Sequence, residues 1–151
     1  MANLITTLTE SVTLNGSVRG STNTVTTTGI GDVLERIVTC THSQTTTIAT
    51  FAAAPYTSAG AIDVENVRYI RVTNLGEDSA VILAVVMTDT NYQVRLPAGT
   101  SHILPRAEAE AIGEEDNTPD FTSQEDLISL QVKPEGTTYS PRVELFVGVA
   151  E

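Results

Sequence analysis

The sequence predicts an all-β protein: an antiparallel β-sandwich of the jelly-roll type with an extended, threonine-rich N-terminal arm. Short stretches rich in Val, Ile, Thr and Tyr recur along the chain with apolar residues at every second position. Turn residues separate these stretches about every 8 to 12 residues, which predicts about eight to ten strands. With one cysteine and no tryptophan the chain lacks the Cys, Trp, Cys framework of immunoglobulin domains, so a jelly roll is favoured.

The 151 residues suffice for one domain with its own core. We predict an arm at residues 1–30 and a single β-sandwich domain at residues 31–151, which includes an acidic loop at 106–126. No apolar run approaches the roughly 18 residues of a membrane span, so no membrane partner is expected. The first residues, "MANLITTLTE", lack the cationic start and apolar centre of a secretory signal, which predicts synthesis in a cytoplasm.

Charge is the strongest deviation in composition. Nineteen carboxylates face eight basic residues, and the net charge of −11 should repel polyphosphate backbones, so no direct nucleic-acid partner is expected. Copies that repel one another can associate only through nearly uncharged surfaces. The arm is such a surface, because its only charged side chains are Glu10 and Arg19.

The arm itself is predicted to be extended. Threonine is β-branched and stiff in strands, and the Asn15-Gly16 pair is a strong signal for a two-residue hairpin. Such an edge can pair with a neighbouring subunit by strand addition. An ordinary solvent-facing hairpin is the alternative.

Eight segments carry the strand pattern of the domain: 34–41, 44–51, 66–75, 80–88, 91–96, 101–104, 126–132 and 141–150. The run from Ala80 to Met87 is apolar on both faces, which predicts either a central strand buried on both sides or one half of a subunit interface. Pro97 and Gly99 predict a corner between two strands. The only predicted helix is a short one at "RAEAEAI", residues 106–112.

The residue types that support catalysis are few. Ser101 and His102 are adjacent, but neighbours on a strand project to opposite faces, so they are not expected to form a dyad. No Gly-x-Ser-x-Gly elbow and no phosphate-binding glycine motif occurs. Cys40 is expected to be a small buried hydrophobe and His42 a turn residue, and neither has the spacing of a zinc site.

Calcium has one candidate site, since hard oxygen ligands are concentrated in the acidic loop at Glu114, Glu115, Asp116, Asn117 and Asp120. The spacing of an EF-hand loop is absent, and a solvated acidic loop is the usual meaning of such a run. Seven aromatic residues without tryptophan make a poor platform for sugars. We therefore predict no catalytic, cofactor-binding or metal-binding residues and no enzyme activity.

Three phrases point to a family: "ESVTLNGSVRGSTNTVTTTGIGDVLERIVTC", "VRYIRVTNLGEDSAVILAVV" and "NYQVRLPAGTSHIL". With them, and again at "EDLISLQVKPEG", the chain resembles the small β-rich virion structural proteins of tailed bacteriophages, especially those of marine bacteria. The resemblance implies assembly rather than turnover. It implies a capsid cement or decoration protein, expected to be a trimer, that stabilises the head in the virion and binds the major capsid protein or other virion proteins.

Two alternatives stay open. A tail, fibre or head-to-tail joining component would need similar oligomeric edges, although the shortage of aromatic residues argues against a receptor-binding tip. From another class, a small carbohydrate-binding or hydrolytic β-domain would need convergent polar groups in a pocket, and an adhesion or toxin-associated β-module is a further rival.

Overall fold

The computed structural model of the protein describes residues 1–54, 59–111, 121 and 124–150. Nearly all of the regular structure is β, and two curled sheets enclose one apolar core, so the predicted all-β sandwich is confirmed. The strands are β1 (Ala2–Thr9), β2 (Val12–Leu14), β3 (Ser17–Arg19), β4 (Thr22–Thr39), β5 (Thr46–Ala52), β6 (Ile62–Asp63), β7 (Val67–Asn74), β8 (Val81–Met87), β9 (Asn91–Leu96), β10 (Ser101–Leu104), β11 (Glu108–Ala109), β12 (Glu125–Pro134) and β13 (Arg142–Ala150).

One sheet has the order β1-β4-β13-β7-β10, and the other has the order β6-β5-β12-β8-β9 with β11 paired to β12. All of these pairings are antiparallel except the short one between β5 and β6. We call the first the arm-side sheet, because β1 belongs to it, and the second the opposite sheet. The small hairpin β2-β3 stands apart from both.

The topology is that of a jelly roll. Eight strands form the sandwich proper and can be counted from first to eighth in chain order: β4, β5, β7, β8, β9, β10, β12 and β13. In this count the arm-side sheet has the order first, eighth, third, sixth. The opposite sheet has the order second, seventh, fourth, fifth. Successive strands thus alternate between the layers, except β8 and β9, which form a hairpin in the opposite sheet; this order is the jelly-roll arrangement of two Greek keys.

The core is formed by the alternate residues that face inward from both sheets. On β8 these are Val81, Leu83, Val85 and Met87, all buried. The other face of β8 is only half-buried, so the predicted burial on both sides does not occur within one chain. Its predicted central position is confirmed, since β8 lies between β12 and β9.

The corner predicted at Pro97 and Gly99 carries the chain from β9 in the opposite sheet to β10 in the arm-side sheet. Gly99 has a positive φ of 77°, and its N–H donates to the carbonyl of Asn74 at 2.8 Å. The Asn74 side chain is fully buried and binds three backbone groups: the Ser79 and Leu96 carbonyls at 2.8 and 3.0 Å and the Gly76 N–H at 2.9 Å.

The predicted helix at 106–112 is wrong for residues 106–111, and the rest of that segment lies outside the described residues. Glu108 and Ala109 form strand β11, paired with Asp126 and Glu125 of β12. The alanines at 107 and 109 are buried. Alanine alternating with glutamate has the period of a strand as well as a high helix propensity, and here burial against β12 overrides propensity.

Cys40 is fully buried, as predicted. Burial raises the pKa of its thiol. Within the described residues there is no helix with the length and apolar character needed to cross a membrane.

Candidate interaction surface

The arm is a two-stranded ribbon built from β1 and the first half of β4. Thr9 pairs with Thr22 at its far end, and Ala2 pairs with Ile30 where the ribbon joins the sandwich. Beyond Ile30, β4 changes partner and pairs with β13. One 18-residue strand therefore belongs to the arm and to the sandwich in turn.

The far end of the ribbon carries the hairpin β2-β3, which we call the tip hairpin. Leu14 pairs with Ser17 across a two-residue turn, in which Asn15 and Gly16 have positive φ values of 51° and 78°. These angles belong to the type I′ turn that suits the twist of paired strands. The predicted Asn-Gly hairpin is confirmed.

The two faces of the ribbon differ in chemistry, because directly paired residues share a face. One face is a threonine ladder: Thr7 and Thr24 hydroxyls lie 3.2 Å apart, as do those of Thr9 and Thr22. The other face carries Leu4, Leu8 and Val25, since Thr6 between the two leucines pairs with Val25. We call the face of Leu4, Leu8 and Val25 the apolar side of the ribbon; it also carries Thr6, Asn23 and Thr27, while the threonine-ladder face carries Ile5.

The apolar side of the ribbon lies over the outer face of the arm-side sheet. The Leu4 side chain sits above Gly148, where an added Cβ would be 3.7 Å from a Leu4 methyl group. Between β1 and this sheet runs a groove of about 330 Å³. Its lining comprises residues 4–8 of β1 together with Tyr69, Arg71, Ile103 and Phe146 of the sheet.

The floor of the groove combines aromatic and charged groups whose charges cancel. Tyr69 and Phe146 pack edge to face with ring centres 5.9 Å apart, and the Arg71 guanidinium lies 5.9 Å from the centre of the Phe146 ring. Arg71 also forms an ion pair with Glu144. The floor therefore consists of packed aromatic rings and a paired cation, and its net charge is zero. It can contact an apolar surface at little electrostatic cost.

Exposed apolar side chains are concentrated on this part of the molecule. Within the described residues thirteen large hydrophobic side chains are exposed, and seven of them belong to the arm. Three more are on the outer face of the arm-side sheet: Val33, Ile37 and Ile103. Exposed apolar side chains concentrated on one part of a molecule mark interaction sites. The missing charge of the arm is visible in the composition, but only the fold places Ile103 in the groove beside β1.

Ser101 and His102 have separate partners, as their neighbouring positions on one strand predicted. The Ser101 hydroxyl lies 2.7 Å from that of Thr73 on the outer face, while His102 Nε2 lies 3.0 Å from the Tyr92 hydroxyl between the two sheets. Burial lowers the pKa of His102 and raises that of Tyr92. The uncharged pair joins β9 and β10 across the edge of the sandwich.

The structure brings together another serine and histidine, which the sequence did not indicate. Ser140 Oγ accepts the backbone N–H of His42 at 3.1 Å and lies 3.2 Å from the His42 ring nitrogen Nδ1. Ser140 is exposed and His42 is half-buried, and the hydroxyl acts as a cap between two loops. No sequence signal relates residues that are 98 positions apart.

The calcium candidates Glu114, Glu115, Asp116, Asn117 and Asp120 lie outside the described residues. In the described part of the chain no group of three or more His, Cys, Asp or Glu side chains is arranged to hold a metal ion.

Comparisons with protein-family models, with curated proteins and with solved structures found no match to this chain. The observations that bear on function are therefore the exposed apolar surface of the arm and its groove, together with the resemblance of the sequence to phage virion proteins.

Proposed function

We propose that this protein is a structural component of a tailed-bacteriophage virion, an oligomeric cement or decoration protein on the capsid. The observation that carries the proposal is the concentration of exposed apolar side chains on the arm and on the sheet face beside it. A closed sandwich whose arm exposes apolar side chains is suited to assembly. The family resemblance of the sequence supplies the virion as the place of assembly.

The proposed mechanism is passive. Burying the apolar side chains of the arm would contribute about 25 cal/mol for each Å² removed from water, and the edge of β1 offers backbone groups for strand addition. The sandwich would act as a stiff spacer whose acidic surface keeps coated particles apart, since the net charge of −11 lies outside the arm. Contacts to the major capsid protein and to further copies would share the load of the packaged genome.

Particle binding tests this proposal. The test uses capsids that lack this protein, prepared from the phage whose genome encodes it. The protein would be mixed with these capsids, and the bound protein would be quantified after sedimentation. We expect the full chain to coat the capsids and a variant lacking residues 1–20 to stay in the supernatant. The control is the unfolding temperature of the truncated protein, which should stay within a few degrees of the original because the buried core lies outside the removed segment.

Full coating by the truncated protein would show that the arm is not the binding element. No coating by the full chain, together with its absence from purified virions by mass spectrometry, would contradict the virion assignment itself. The hydrolytic or sugar-binding alternative would gain support if substitutions of His102 abolished an activity without unfolding the protein.

A further inference from the structure

We infer that the groove between β1 and the arm-side sheet receives the tip hairpin of a second copy of this chain. The inference rests on the proposed assembly role and names the contact that would join subunits. It follows from three properties of the described residues: an unfilled apolar groove, an apolar hairpin that does not pack on its own sandwich, and opposite charges on the hairpin and beside the groove.

The groove is open where its lining is most apolar. Leu8 and Val25 lie on the same side of the ribbon as Leu4, which packs onto the sheet, yet they remain 54% and 61% exposed. Across the groove, Ile103 on the edge strand β10 is 43% exposed. The ribbon therefore packs onto its sheet at Gly148 and leaves Ile103 exposed and the Tyr69 and Phe146 rings half-buried.

The tip hairpin presents the complementary surface. Val12 and Leu14 are two residues apart on β2 and share one face, and they are 50% and 55% exposed. Arg19 pairs directly with Val12 and belongs to the same face. Two aliphatic side chains and one cation are thus available to a partner.

The charges favour a copy of this chain as the partner. Arg71 on the floor of the groove is already paired with Glu144, while Glu35 is exposed on β4 and pairs in register with Phe146 of the floor. Arg19, the only cation of the arm, can neutralise Glu35 of the copy that it enters. Two copies of this acidic chain can approach most easily through these neutral or complementary surfaces.

A tip that enters a groove joins two different surfaces, so the contact is heterologous. Such contacts close into a ring, or into a reciprocal pair when two arms exchange. Either closed form would bury Val12 and Leu14 of one copy against Leu8 and Ile103 of the other, all of which are exposed in a single copy.

Sedimentation velocity over a series of protein concentrations tests the inference with a matched pair of variants. Ile103 and Ile128 are equally exposed, at 43% and 44%, but Ile128 is on the outer face of the opposite sheet. We expect the unaltered chain to form a discrete oligomer, Ile103→Asp to be monomeric, and Ile128→Asp to remain oligomeric. The double variant Val12→Asp with Leu14→Asp should also be monomeric.

The charged pair gives a second readout that does not depend on the apolar core of the contact. Arg19→Glu and Glu35→Arg should each weaken association roughly tenfold or more, and combining them should restore most of the loss. Both sites are exposed, so the fold should tolerate the changes.

A chain that stays monomeric at every concentration would overturn the inference, and so would equal behaviour of the Ile103 and Ile128 variants. Failure to recover association in the charge-swapped double variant would remove the proposed pairing of Arg19 with Glu35. These results are separable from those on capsids: a monomer that still coats capsids would contradict only the self-association, whereas an oligomer that coats none would contradict only the virion role.

Discussion

The arm and the sandwich are both β-structure, but they treat their apolar side chains in opposite ways. In the sandwich these side chains alternate with polar ones and point into a shared core, where Leu83, Leu130 and Leu145 are fully buried. In the arm only Ile30, at the junction with the sandwich, is buried. The fold therefore depends on the sandwich, while the arm leaves most of its large apolar side chains exposed in a single copy.

An isolated two-stranded ribbon is marginally stable in water. The arm has its type I′ turn and its threonine ladder, but little packing. We therefore expect substitutions in the arm to change association and substitutions in the sandwich to change the free energy of unfolding.

Leu83→Ala should lower the free energy of unfolding by about 2–5 kcal/mol, because it leaves a cavity in the centre of the core. Leu14→Ala in the arm removes the same atoms from an exposed position and should change it by less than about 0.5 kcal/mol. Urea unfolding of both variants at low protein concentration measures the difference. Equal losses would mean that the arm is part of the cooperative core.

Asn74→Ala should lower the free energy of unfolding by about 3 kcal/mol, because two carbonyls and one N–H lose their buried partner. The matched control is Asn91→Ala, at an exposed position on β9. Thermal unfolding of the two variants separates the cases. A small effect at Asn74 would show that water replaces the side chain and that the corner is not held by it.

Gly20→Ala should disturb the tip hairpin and leave the sandwich intact. Gly20 has a φ of 121°, and an added Cβ would lie 2.0 Å from the Glu10 carbonyl oxygen. Gly16→Ala is the control, because Gly16 also has a positive φ but nothing lies within 4 Å of its added Cβ. Hydrogen exchange of the β2 and β3 amides should accelerate more in the Gly20 variant, with no change in unfolding temperature. A lower unfolding temperature would contradict the independence of the two regions.

The smallest effect should be a pH dependence confined to the sandwich. Burial holds the pKa of His102 below its ordinary 6.5, so the unfolded chain binds the proton more readily and stability should fall as the pH drops below about 6.5. His102→Gln should flatten this slope below about pH 6.5. Denaturant midpoints at several pH values measure it. An unchanged slope in the His102 variant would contradict the assignment.

Much of the sandwich was predictable because burial imposes a period of two on the sequence. The alternation through β9 and β13 follows from the two faces of a strand. In the arm, the Asn15-Gly16 turn was predictable because a type I′ turn needs residues that accept a positive φ. The segment at Ala107 and Ala109 was misjudged, because alanine and glutamate satisfy the helix and strand patterns alike. Only the contact with β12 decides between them.

The candidate surface was predictable in part. The near absence of charge in the arm is visible in composition, and so is its tendency to form strands. The groove is not, because it depends on where β1 lies over Tyr69 and Phe146. The roles of Asn74 and of the His42–Ser140 contact were likewise hidden, since loop contacts between distant residues leave no periodic pattern.

Hydrogen–deuterium exchange at low and high protein concentration reports on the arm and the sandwich in one measurement. We expect slow exchange of the sandwich strands at both concentrations, and protection of β1 to β3 that appears only at high concentration. Protection of the arm that matched the sandwich at high dilution would contradict the division between arm and sandwich, as would an arm that stays unprotected at every concentration.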